Sequence, residues 1–229
     1  MDHPLENVIW QALTTRQTRF AETCGQARRF MREVTLLSAF PEPSDEGYSS
    51  LAELVGPDGT AALFLDHPYQ TRQGWEVVAT APLLQMVCEN GSTSATLKDL
   101  AIEITELGAP DSTEMIELTS LTKPGPFGRR THELGNYFGI RRNGKLAAMS
   151  GERLKVPGYT EVSAVCTHPE HTGKGYAAVL MSEVMQRIRD RGETPFLHVR
   201  GDNDRAIALY ERLGFRTRKR GHFAVLRKI

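Results

Sequence analysis

A chain of 229 residues with 40% hydrophobic and 24% charged residues has the composition of a folded protein, one large domain or two of about 100 residues each, which excludes disordered, collagen-like and coiled-coil classes. Its 28 Lys and Arg balance 28 Asp and Glu, so the large basic excess of a nucleic-acid protein is missing. No apolar run approaches the roughly 18 residues that span a bilayer, the start Met1-Asp2-His3-Pro4 is not a leader, and three widely spaced cysteines, Cys24, Cys88 and Cys166, suit neither a disulfide framework nor a zinc cluster, so a cytoplasmic protein without metal is expected.

In chain order, the spacing of apolar residues predicts a helix over 4–22, a short helix over 49–55, and extended segments over 61–66 and 75–88. No catalytic constellation emerges in this stretch, where His3 and His67 stand isolated. A polar run over 89–95 then separates two compositions. Residues 1–98 hold 7 Lys and Arg against 12 Asp and Glu, both tryptophans and 6 of the 20 glycines, while residues 99–229 hold 21 Lys and Arg against 16 Asp and Glu. We therefore place a boundary near residue 98, with an accessory α/β domain over 1–98 and a second domain over 99–229 whose basic balance suits a small anionic ligand.

The second part opens on a strictly alternating run over 101–107, the pattern of a half-buried strand. Ala109-Pro110-Asp111-Ser112 starts a helix with Met115, Ile116, Leu118 and Leu121 on its apolar face, and Lys123-Pro124-Gly125-Pro126 stops it. Residues 137–140 and 146–149 flank Asn143-Gly144, whose tolerance of positive φ suits a hairpin turn. A strand over 159–167, an amphipathic helix over 173–191, a strand over 196–200, a helix over 203–213 and two short closing strands complete the order β-α-β-β-β-α-β-α-β-β. That order predicts the α/β class, a mixed sheet with helices on its faces.

The segment 161–188 carries the chemistry. A strand of small and β-branched residues, Val162 to Thr167, runs through His168-Pro169-Glu170-His171 into Thr172-Gly173-Lys174-Gly175-Tyr176-Ala177, where glycines open a helix. Backbone amides there can approach a ligand closely, and the helix start adds unpaired donors, so the loop suits a pyrophosphate. It is not a P-loop, because Tyr176 follows Gly175, and it departs from the dinucleotide fingerprint, because residues 168–172 intervene after the strand and Ala178 takes the third glycine position. A glycine-rich helix start without a ligand also remains open at this point.

Together with Asp202-Asn203-Asp204-Arg205-Ala206-Ile207-Ala208-Leu209-Tyr210-Glu211-Arg212-Leu213-Gly214-Phe215, the strand and loop resemble the GNAT superfamily of acyl-CoA-dependent N-acyltransferases, in its FR-type acetyl-CoA-binding branch, over about 100–229. For 1–98 the natural partner is a degenerate second copy of the same fold. The resemblance implies that the amides of Thr172, Gly173, Lys174, Gly175, Tyr176 and Ala177 hold the coenzyme A pyrophosphate, that the backbone of Val165, Cys166 and Thr167 meets the pantetheine arm on a strand splayed from its neighbour, and that Asn203 contacts that arm while also capping a helix. Thr172 stands where the family has Arg or Gln, which removes a side-chain donor worth at most about 1.5–3 kcal/mol.

Acyl transfer to an amine needs a neutral amine, an oxyanion partner and a proton for the departing thiolate. Glu161 lies 14 residues before Gly175, the spacing of the glutamate base in the histone-acetyltransferase branch, and is the candidate base, against the alternative of a carboxylate in solvent on the strand. Tyr210 matches the family's tyrosine near the sulfur and is the candidate acid, although its apolar helix face also suits a structural tyrosine. Cys166 as a nucleophile lacks a histidine partner. Arg129 or Arg130 is a candidate for a substrate carboxylate, and the run over 216–220 for a solvated edge or the coenzyme's 3′-phosphate. The expected reaction moves an acetyl group from acetyl-CoA to a primary amine of a small molecule or peptide in a ternary complex. A homodimer is compatible with it, and neither nucleic acid, membrane nor metal is expected. A non-catalytic acyl-CoA-sensing or interaction module on the same fold is the alternative, and a dinucleotide-dependent enzyme the third reading.

Overall fold

The computed structural model describes residues 3–89 and 102–229. The chain opens with α1 (Val8–Thr14), β1 (Ala21–Cys24), β2 (Ala27–Phe30), β3 (Ser38–Ala39), α2 (Asp45–Val55), β4 (Thr60–Leu65) and a long β5 (Trp75–Val87). It continues with β6 (Thr105–Leu107), α3 (Ser112–Thr122), β7 (Tyr137–Arg142), β8 (Lys145–Val156), β9 (Tyr159–Thr167), α4 (Tyr176–Asp190), β10 (Thr194–Arg200), α5 (Asp204–Arg212) and β11 (Arg216–Lys228). Strands β1 to β3 form a small antiparallel sheet, and the other eight form one mixed sheet in the order β4-β11-β5-β10-β9-β8-β7-β6. Every pairing in that sheet is antiparallel except β9 with β10.

Several elements differ from the sequence expectation for local reasons. The helix expected over 4–22 stops at Thr14, where the Thr14 and Thr15 hydroxyls turn back onto the carbonyls of Trp10 and Gln11 at 2.8 and 2.5 Å, a bonding pattern that competes with helix propagation. Glu22 instead lies in β1 opposite Arg29, with which it is ion-paired at 2.6 Å. Helix α2 starts ahead of residue 49 because the Ser44 hydroxyl accepts from the Gly47 amide. The two short closing strands are one 13-residue strand kinked by two register shifts. Its basic run is anchored: Arg218 donates to Gln85 and Glu6, and Lys219 pairs with Glu6 and Asp66.

Two cores flank the sheet. The apolar stripe of α4, with Leu180, Met181, Val184, Met185 and Ile188, packs on Leu84, Met86, Phe138, Ile140 and Leu197. On the other side Val8, Ile9, Ala12 and Leu13 of α1 join Leu154, Val156 and Phe196. The boundary expected near residue 98, and Ala101 at the start of the strand expected over 101–107, lie outside the described residues. The described residues before and after that boundary share one sheet, since β5 is hydrogen-bonded to both β10 and β11.

Close packing is most exposed to test at Gly151 in β8, where an added Cβ would lie 2.3 Å from the ring of the fully buried Tyr137. Gly151→Ala is expected to destabilise the fold by about 1–3 kcal/mol through overpacking. The check is urea unfolding, in which the midpoint falls while the slope stays constant.

Candidate active site

The site begins where two parallel strands separate. β9 and β10 are paired only at Tyr159 with Thr194, Thr160 with Pro195 and Glu161 with Phe196. Beyond Phe196, β10 continues along β5 from Val87 to Leu83, while β9 stays with β8. On β9 the register against β8 shifts between Cys166 and Ser163, and Ala164 takes a left-handed φ of 51°, the geometry of a bulge that bends a strand and re-aims its backbone. The parted strands open a cleft of about 700 Å³.

Val165, Cys166, Thr167, Thr172, Gly173, Lys174, Gly175, Tyr176, Ala177, Asn203 and Tyr210 all line this one cleft. Gly173 and Gly175 have φ of 79° and 77°, and the space around a Cβ at Gly173 is empty, so the backbone there is open to a ligand. The amides of Gly173, Lys174 and Gly175 donate to no other backbone group among the described residues, and α4, 15 residues long, starts at Tyr176 without a side-chain cap. These unpaired donors at a helix start fit a pyrophosphate. The Thr172 hydroxyl donates to the Pro169 carbonyl at 3.0 Å, which spends its only proton locally. Lys174 Nζ sits 3.1 Å from His171 Nδ1, and the Tyr176 hydroxyl accepts from Arg142 at 2.8 Å. Asn203 accepts the Ala206 amide through Oδ1, leaving its Nδ2 donor to the cleft.

Glu161 is not among the residues lining the cleft. It is fully buried, and Arg153 grips it side-on, Nε to Oε2 and Nη2 to Oε1 at 2.8 Å each. The Leu154 amide donates to it at 3.2 Å and His198 Nδ1 lies 2.7 Å away. Burial alone would push its carboxyl up, but Arg153 and His198 outweigh that and hold it well below the usual carboxylate range. Its full burial corrects the reading of Glu161 as a carboxylate in solvent, and a carboxylate stabilised in this way is a poor proton acceptor.

The pair is built by register and by the N-terminal segment. Gly158 at φ 77° turns β8 into β9, and a bulge between Glu152 and Lys155 sets Arg153 and Leu154 against Glu161. Gln17, only 2% exposed, satisfies that bulge by donating to the Arg153 carbonyl at 2.8 Å and accepting the Lys155 amide at 3.0 Å. Beyond Glu161 the network runs on. Gln85 Oε1 accepts from Arg218 and its Nε2 donates to the Leu5 carbonyl. The remaining Nε2 proton reaches His198 Nε2 at 3.2 Å, so His198 carries its own proton on Nδ1, facing Glu161.

Tyr210 is 9% exposed. Burial, with Cys166 beside it, pushes its phenol up to about 12, and no described residue hydrogen-bonds its hydroxyl. Burial pushes the Cys166 thiol up to about 12 as well, against the hydrogen bonds from Thr122 and Met149, so Cys166 has no thiolate for nucleophilic attack. Arg130 is ion-paired with Glu133 at 2.7 Å, and neither it nor Arg129 lines the cleft. Arg153, His198, Phe64 and Phe223 do line it and escaped the sequence reading, which ended the β8 strand at Met149. The hairpin signal Pro157-Gly158 would place residue 161 across from residue 154, and only the bulge between Glu152 and Lys155 brings Arg153 against Glu161 as well.

The FR47-like protein family matches residues 137–224, the stretch that holds the splay, loop and α5. A solved structure from Novosphingobium aromaticivorans assigned to the GNAT family is 36% identical, superposes with a TM-score of 0.89 and covers 100% of both chains. The N-alpha-acetyltransferase RimI of Mycobacterium tuberculosis is 35% identical over 96 residues, 40% of this chain and 60% of that protein. The ribosomal protein bS18 alanine N-acetyltransferase of Escherichia coli is 33% identical over 79 residues, 34% of this chain and 53% of that protein. The chain thus spans less than two thirds of the length of either of these two relatives.

Removing one partner of the buried pair leaves the other charge unpaired, so Glu161→Gln should destabilise the fold by about 3–5 kcal/mol, measured by urea unfolding. Because the folded-state carboxyl is depressed, its contribution is present above the unfolded pKa of about 4.3 and is lost as pH falls through the folded value. Acid titration of stability should accordingly lose this increment below about pH 4.5 in the wild type, and show a shallower acid slope in Glu161→Gln.

Proposed function

The chain belongs to the GNAT family of N-acyltransferases, and from that premise we propose that it transfers an acetyl group from acetyl-CoA to a primary amine by direct attack in a ternary complex. The observation that carries this reading is the single cleft that joins the unpaired amides of 173–175 to the Tyr210 hydroxyl along the splayed edge of β9. Gly173, Lys174 and Gly175 would hold the pyrophosphate, with the Lys174 ammonium as a mobile cation. The free backbone of Val165 to Thr167 and the Asn203 amide group would hold the pantetheine arm, which lays the thioester along the strand edge toward Tyr210.

In the transfer step the neutral amine attacks the thioester carbonyl, the tetrahedral intermediate collapses, the carbon–sulfur bond breaks, and the thiolate leaves with a proton from the Tyr210 hydroxyl, which recovers one from solvent. A phenol raised to about 12 stays protonated, and so remains an acid, throughout the neutral range. Glu161 supports the site without taking a proton, since it is locked to Arg153. The amine proton therefore leaves to water on the open side of the cleft, and the described residues before 90 act as the scaffold that fixes β8, β10 and β11.

Acetyl-CoA should bind with micromolar affinity in calorimetry, held mainly by backbone donors; no binding near millimolar would remove the transferase reading. Tyr210→Phe should lower kcat by about 10²–10⁴-fold in an assay of thiol release while acetyl-CoA affinity changes little. The wild-type kcat/KM should climb with pH along the titration of the acceptor amine, with no falling limb below about pH 10, because Tyr210 loses its proton only above that range. A limb near pH 7 that vanishes in Tyr210→Phe would contradict the assignment.

A further inference from the structure

The acceptor end of the cleft has a chemical bias. Its basic residues are Lys123, Arg153, Lys174, Arg200, Arg205 and Arg212, and no Asp or Glu lines it among the described residues. Some of these cations lie beside the phosphate-binding loop and α5, where the coenzyme's phosphates account for them. Arg153 does not: it lies on β8 near the loop at Gly125, next to Ser163 and Ala164. Its side chain is 8% exposed. Nε and Nη2 are committed to Glu161, whereas Nη1 has no hydrogen-bond partner among the described residues and lies 3.8 Å from where a Gly125 Cβ would stand. Nη1 is not among the buried atoms left without a partner, so its two donors reach the solvent of the cleft and are open to an acceptor that a ligand brings.

Next to it the wall is aromatic. The Arg153 guanidinium stands 6.0 Å from the Phe64 ring, and Phe64 meets His198 at 4.5 Å and Phe223 at 6.1 Å between centroids. Glu161 is already saturated by Arg153, His198 and the Leu154 amide, so the cleft offers no anion to a second cationic group on the acceptor. It offers a fixed pair of N–H donors beside an apolar surface. Resting on the transferase reading above, we propose that the acceptor is an amino-acid-like molecule, a primary amine bearing a carboxylate and an apolar side chain. The carboxylate accepts from Arg153 Nη1, the side chain lies on Phe64 and Phe223, and the amine points along β9 to the thioester. Arg153 is then a specificity residue, and Glu161 positions it by holding two of its three nitrogens.

The test uses the full chain and three amines that share one apolar body, phenylalanine, phenylalaninamide and 2-phenylethylamine, with thiol release from acetyl-CoA as readout. Rates are referred to the neutral amine, which removes the different amine pKa values. Phenylalanine should exceed the other two in kcat/KM by about 10–100-fold, the discrimination expected when a charged hydrogen bond is lost from a desolvated donor. In Arg153→Lys, which keeps a cation for Glu161 but not the free Nη1 donors, that ratio should collapse toward one. Equal or better turnover of the amide in the wild type overturns the proposal, and this comparison stands even if the variant fails to fold. So does an unchanged ratio in a folded Arg153→Lys. Acetyl-CoA binding in calorimetry with no turnover of phenylalanine overturns the acceptor assignment alone. Absence of acetyl-CoA binding overturns the transferase reading and the acceptor assignment with it.

Discussion

The buried ion pair between Arg153 and Glu161 is the constraint on which the site depends. Two charges taken out of water stabilise each other only if the geometry is close and the leftover donors and acceptors are satisfied. Here Glu161 is fully satisfied and Arg153 only in part. That asymmetry makes the pair an instrument of orientation: the carboxylate clamps two guanidinium nitrogens and leaves the third pointing at the cleft. The same clamp ties β8 to β9 at the last point where β9 still touches β10, so the pair also marks the apex of the splay.

The splay itself follows from competition for hydrogen bonds. Pro195 in β10 has no amide to give to β9, and its carbonyl accepts from the Cys88 amide at 2.9 Å, which commits β10 to β5. From Phe196 onward β10 runs along β5 in register, and β9 follows β8. Ala164, in a left-handed conformation that a residue with a Cβ adopts at a cost of about 1–3 kcal/mol, bends β9 away further. The strain is held by the strands on either side and leaves strand edge unpaired along the cleft. Tyr137 adds to this tight region. Its ring fills the space beside Gly151, its hydroxyl is buried without a partner among the described residues, and burial drives its phenol up.

Much of the fold was legible because its signals are local. The Asn143-Gly144 turn, the amphipathic stripe of α4 and the glycine loop at 173–175 each announce themselves within a few residues, and the loop lies where the motif placed it. The residues within 165–177 that the motif singled out share one cleft with Asn203 and Tyr210 because they lie on two contiguous motifs. Glu161 was misread because its environment is non-local. Period-two alternation gives its face but not its partners, and these come from β8, β10 and, through Gln17 and Gln85, from the N-terminal segment. The unity of the sheet was hidden for the same reason: β5 pairs with strands that the composition shift near residue 98 assigns to the other side.

Strand β11, which sits between β4 and β5, is separated from both in sequence by everything from β6 to α5. During synthesis on a ribosome β4 and β5 emerge first, with their ladder groups unpaired, and their common neighbour emerges only after the whole of the cleft-bearing segment. Long-range pairings of this kind close slowly and leave strand edges open to other chains in the meantime. The Gln17 contact across the β8 bulge spans a sequence separation of 136 residues, so the bulge that sets the guanidinium waits on a partner made long before it. Closing the sheet and completing the wall of the cleft thus both depend on contacts between segments far apart in the chain.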